Sequence, residues 1–70
     1  MKTRLVKVED LWPGDVVIAR RPGAYTGMPS RLANIEAAGE EARCARLHFD
    51  RDEFEFNIVV RWDELAEVVG

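Results

Sequence analysis

The feature that most limits what this chain can fold into is an alternation of apolar and polar side chains in its C-terminal half. Phe54, Phe56, Ile58, Val60 and Trp62 interleave with Glu55, Asn57, Val59 and Arg61. An extended strand points successive side chains to opposite faces, so residues 54–62 predict a half-buried β-strand with one apolar face. Ala45, Leu47 and Phe49 interleave with Cys44, Arg46 and His48 in the same way. Between the two runs, Asp50-Arg51-Asp52-Glu53 is polar and suits a hairpin turn. Two amphipathic strands joined this closely are expected to pair antiparallel.

The rest of the chain reads as further short strands. Pro13-Gly14 is a turn signal, and the β-branched run Asp15 to Arg20 follows it. Arg31 to Glu36 predicts another strand. Leu32 and Ile35 are three apart there, so a β-bulge or sharp bend is needed to turn both inward. Ala37 to Ala42 reads as a turn, because Gly39 sits in its middle and the stretch is too short to hold a helix alone. Asp63-Glu64-Leu65 reads as one turn of 3₁₀ or α structure, and Ala66 to Val69 as a closing strand. Leu5 to Val8 suits an edge strand, or residues 1–9 form an N-terminal arm. Short strands at this spacing predict an all-β barrel or sandwich. Its expected core is Val16, Ile18, Leu32, Ile35, Leu47, Phe49, Phe54, Phe56, Ile58, Val60 and Leu65.

Seventy residues make one domain with a small core. Cys44 is the only cysteine and His48 the only histidine, so neither a disulfide nor a metal site is expected, and no cofactor is implied. No run approaches the roughly 18 apolar residues that cross a membrane. Met1 to Lys7 is basic but no apolar stretch follows it, unlike an export signal. With one unpaired cysteine, these features predict a cytoplasmic protein.

Net charge is −3, and it is unevenly spread. Residues 1–31 carry six basic and three acidic side chains, whereas residues 32–70 carry four and ten. No carboxylate occurs from Val16 to Ile35, a stretch that contains Arg20, Arg21 and Arg31. A basic edge on an acidic body is one reading, and a mixed solvated surface is the other.

Catalytic arrangements find little support. Cys44 and His48 share a strand face four residues apart, which is roughly 13 Å. A nucleophile and its base need hydrogen-bond reach, about 3 Å. The carboxylates Asp50, Asp52, Glu53 and Glu55 lack glycine-containing cation-loop spacing and read as a solvated turn.

The most informative stretch is Gly14-Asp15-Val16-Val17-Ile18, followed by Pro22-Gly23-Ala24-Tyr25-Thr26-Gly27 and then Leu32 and Ile35. Gly23 and Gly27 allow the positive φ that a tightly folded loop needs. The arrangement resembles the KOW motif: a Gly-Asp-initiated strand, a loop with an aromatic between glycines, and a return strand with spaced aliphatics. Thr26 stands where that motif usually carries a basic residue, and Ser30 where it usually carries glycine. Ile58 to Val68 is similar to the last strands of the KOW domain at the C-terminus of bacterial transcription elongation and antitermination factors. The resemblance spans roughly residues 10–69. It implies a five-stranded SH3-like barrel with one short 3₁₀ turn near the C-terminus.

The pattern also resembles other small bacterial SH3-like proteins, and the plasmid-borne dihydrofolate reductases. Those reductases use a Gln-Ile-Tyr run in a late strand, where this chain has Asn57-Ile58-Val59-Val60, so that activity is not expected here. A non-enzymatic binding module is the resulting reading. The expected contact surface is the loop Arg20 to Arg31, with Trp12 and Tyr25 as anchors and Arg20, Arg21 and Arg31 as charge partners. A protein partner is favoured, in transcription or translation machinery if the resemblance holds. Self-association into a homodimer and nucleic-acid binding through the same arginines and Tyr25 are the alternatives.

Overall fold

The computed structural model describes residues 2–20, 27–39, 43–51 and 54–70. Among these it is all-β, with six strands: β1 (Thr3–Lys7), β2 (Val16–Ile18), β3 (Pro29–Ala37), β4 (Cys44–Arg51), β5 (Phe54–Arg61) and β6 (Leu65–Val69). They form one antiparallel sheet in the order β1-β6-β2-β3-β4-β5.

The two alternating runs become the β4–β5 hairpin. Ala45 pairs with Val60, Leu47 with Ile58 and Phe49 with Phe56 on the inner face. The Phe49 and Phe56 rings stack with centroids 5.0 Å apart. Cys44, Arg46, His48 and Asp50 face outward, and Cys44 is a half-buried free thiol. The strands run on to Arg51 and restart at Phe54, so the connection is tighter than Asp50 to Glu53; Asp52 and Glu53 lie outside the described residues.

The expected bulge is present. Leu32 pairs with Phe49 and Asn34 with His48, which leaves Ala33 as an extra residue in β3. The bulge turns both Leu32 and Ile35 toward the core, where Leu32 is fully buried and Ile35 partly so. Gly14, in the turn before β2, has φ 101°, a conformation that a side chain disfavours. Its N–H donates to the Leu32 carbonyl at 2.7 Å, and the Leu32 N–H donates to the Asp15 carbonyl at 2.8 Å.

Several expectations need correction. Among the described residues the sheet has six strands and two free edges, where five strands closed into a barrel were expected. The extra strand is β1, which finds its hydrogen-bond partner in β6 and packs Val6 against the core. The 3₁₀ turn lies at Val8–Asp10, not near the C-terminus. Its first N–H groups are satisfied by the C-terminal turn: Val8 donates to Glu64 at 2.9 Å and Glu9 to Trp62 at 3.2 Å. This tie drops Val8 and Leu11 into the core, which the sequence reading missed. Residues 62–64 instead make a hydrogen-bonded turn in which the Glu64 N–H reaches the Arg61 carbonyl.

The sheet curls around its own inner face. The molecule measures 34 × 26 × 22 Å, and the shortest dimension suits two sheet layers about 10 Å apart. Val17, Leu32, Ala45, Leu47, Phe49, Val60 and Val68 meet inside. Val17 takes the inward place expected for Val16, because it is the residue paired with Ser30 and Val68. Phe54 and Leu65 were expected in the core, but they are 63% and 60% exposed. Phe54 shares the strand face of Phe56 and Ile58 but lies at the end of the hairpin, paired with Arg51. Leu65 is three residues from buried Val68 on a regular strand, so it faces the other way.

Candidate functional site

Trp12 sits in a turn held by its own neighbours. The Asp15 carboxylate accepts the Trp12 N–H at 2.9 Å, and the Trp12 carbonyl accepts the Asp15 N–H at 3.1 Å. The indole is 74% exposed, as expected for a residue that precedes Pro13 in a turn. Arg20 lies past the other end of β2 and pairs with Glu67 of β6 at 2.7 Å. From Asp15 to Arg20 along an extended chain is roughly 17 Å. Trp12 and Arg20 therefore occupy opposite ends of β2. Arg31 projects from the outer face of β3, between Val16 and Asp50. Arg21 and Tyr25 lie outside the described residues. The Gly27 N–H donates to the Ala19 carbonyl at 2.7 Å, with Gly27 at φ 75°, and so ties the chain just after β2 to the chain just before β3.

Arg31 and Arg46 do not form one arginine patch on the outer face. Arg46 donates to the Asn57 side chain at 3.0 Å and pairs with Glu36 across the ladder. Arg31 pairs with Asp50, four residues away along β4. Arg31 and Arg46 thus each have acidic or amide neighbours.

The sheet leaves an apolar cleft of about 280 Å³ between its two ends. Its lining includes Leu5 of β1, Leu65 of β6, and Ile58 and Val60 of β5. Val17 and Leu47 form part of the floor, and the Arg20–Glu67 ion pair lies on the rim. The volume is just below the usual range for small-molecule sites and suits one or two inserted side chains. Leu5 is 66% exposed, so the cleft opens onto an apolar surface. Sequence reading placed neither Leu5 nor Leu65 at a site. Their alternation with Val6 and Ala66 was visible, but the meeting of β1, β5 and β6 around one cleft was not.

The outer face of β3, β4 and β5 carries a shallow polar groove lined in part by Asn34, Glu36, His48, Asp50, Glu55 and Asn57. His48 Nε2 lies 2.9 Å from Glu36 Oε1, and it shares β4 with Cys44 at strand spacing. Among the described residues no three His, Cys, Asp or Glu side chains converge as a metal site. No helix among them is long and apolar enough to cross a membrane.

In comparisons with known proteins, the chain matches no family model, no curated protein and no solved structure.

Proposed function

We propose that this chain is a non-enzymatic protein-binding module whose open six-stranded sheet follows an SH3-like strand arrangement. Short antiparallel strands, a connection of about ten residues after β2 and a tight β4–β5 hairpin support that architecture, with β1 added outside the five strands of the KOW-like pattern. That pattern also supports a place in transcription or translation machinery.

The observation that carries the binding reading is apolar surface in a small acidic protein. Leu5, Leu65 and Trp12 are each at least 60% exposed, and two of them flank an apolar cleft. Exposed apolar groups that converge on a cleft are characteristic of protein contacts. Nucleic-acid binding is the second reading, favoured by the carboxylate-free stretch from Val16 to Ile35. Against it, Arg20 is already neutralised by Glu67.

Gel shifts with single- and double-stranded nucleic acid across a salt series separate the two. The protein-binding reading expects no retarded band at low salt. It also expects a partner, re-bound from purified components, that is lost with Leu65→Gln or Trp12→Ala. A salt-sensitive nucleic-acid complex would instead give the site to Arg20, Arg21, Arg31 and Tyr25. Light scattering reports whether the partner is a second copy.

A further inference from the structure

Among the described residues β1 is a free edge of the sheet, and its hydrogen-bonding sense can be read from its ends. The Val8 N–H donates to Glu64, and the Gly70 N–H donates to the Lys2 carbonyl at 3.1 Å. Both are even-numbered positions of the β1 side in register with β6. In an antiparallel ladder, residues alternate between bonding their neighbour and facing away from it. Arg4 and Val6 therefore bond to β6, while Thr3, Leu5 and Lys7 turn their N–H and C=O groups to the open side.

The side chains along this edge have one sign. Lys2, Arg4 and Lys7 are exposed, and none of them has a side-chain hydrogen bond or ion pair among the described residues. No carboxylate occurs between Lys2 and Lys7. Leu5 stands among these cations beside Leu65 and the apolar cleft. The other free edge, β5, differs: its outward residues include Glu55 and Arg61, and Arg61 pairs with Asp63 at 3.0 Å.

We propose that β1 captures an extended acidic–apolar segment of a partner protein by strand addition. The claim rests on the protein-binding reading and specifies its mode. Thr3, Leu5 and Lys7 supply main-chain hydrogen bonds, an apolar residue of the partner lies against Leu5 and Leu65, and carboxylates on the other face of the added strand meet Lys2 and Arg4. Main-chain bonding gives affinity, and the cleft and the three cations give selectivity. A second copy is a poor occupant, because two β1 strands side by side would bring like charges together.

The test selects a phage-displayed library of random linear peptides against the intact chain, with counter-selection against Leu5→Pro. Proline removes the outward N–H of Leu5 and leaves the β1–β6 bonds, a substitution that edge strands tolerate. Selected peptides are expected to alternate apolar and acidic residues. The best of them, synthesised with capped ends, should slow amide exchange at Thr3, Leu5 and Lys7 by at least about tenfold, with Arg4 and Val6 already protected in the free protein. Replacing its acidic residues by lysine should weaken binding by at least about tenfold, and added salt should weaken binding by the original peptide. The exchange measurement on the unsubstituted chain stands even if Leu5→Pro does not fold. Peptides that protect β5 or the Trp12 turn instead overturn strand addition on β1 but keep the protein-binding reading. Peptides without acidic residues, self-association through β1, or no selected binder overturn the inference, and the gel-shift and partner experiments then decide the broader reading.

Discussion

Phe49 and Phe54 both belong to the inward-facing series of the β4–β5 hairpin, yet Phe49 is 1% exposed and Phe54 is 63% exposed. Replacing each with alanine separates strand parity from burial. Truncating a buried phenylalanine costs about 3–5 kcal/mol, from lost transfer energy and the cavity left behind. At Phe49 the loss includes its stack on Phe56. Full burial of such a side chain is worth about 1.5–3 kcal/mol. Phe54 hides roughly a third of its surface, so its truncation should cost about 0.5–1 kcal/mol. A chain of 70 residues has a total stability of roughly 3.5–10 kcal/mol at ordinary values per residue. Phe49→Ala is thus expected to remove a third or more of the stability, and Phe54→Ala a small part. Urea unfolding followed by tryptophan fluorescence measures both, with a similar m-value expected for the two variants. Equal losses at the two positions would refute the graded burial along β5 and the account of the core built on it.

Four further outcomes follow from particular residues. Gly14→Ala meets no atom within 4 Å, so its effect is backbone strain at φ 101°; a loss of about 1 kcal/mol is expected in thermal unfolding. Leu65→Gln should change stability by less than about 0.5 kcal/mol, because the side chain is exposed, and a larger loss would place Leu65 in the core. Arg20→Ala removes a surface ion pair worth at most about 1 kcal/mol, and the difference from the parent should shrink in high salt. Cys44 is half-buried, so a thiol reagent should modify it more slowly in the native chain than in urea; equal rates would place it at the surface.

Much of the backbone was legible in the sequence because local chemistry writes it. The alternation from Cys44 to Arg61 reports the pleat of a strand, and the three-residue spacing of Leu32 and Ile35 forced a bulge wherever both had to turn inward. Pro13-Gly14 marked the turn into β2, which the structure builds with Gly14 at positive φ and the Asp15 carboxylate accepting the Trp12 N–H. The exposed Trp12 followed from its place before Pro13. The contact surface was harder to read, since it depends on which strands become neighbours. Trp12 and Arg20, close in sequence, are held apart by the length of β2, whereas Leu5 and Leu65 become neighbours across sixty residues of chain.

By itself the sequence determined that this chain is a sheet of short antiparallel strands with a bulge in β3, because side-chain parity and turn geometry act over a few residues. Only the tertiary structure decided that Val8 and Leu11 are buried, that Phe54 and Leu65 are not, and that β1 and β5 are the free edges. Burial and edge position depend on what the curled sheet lays over each residue, a sum of contacts between distant parts of the chain that no local pattern records.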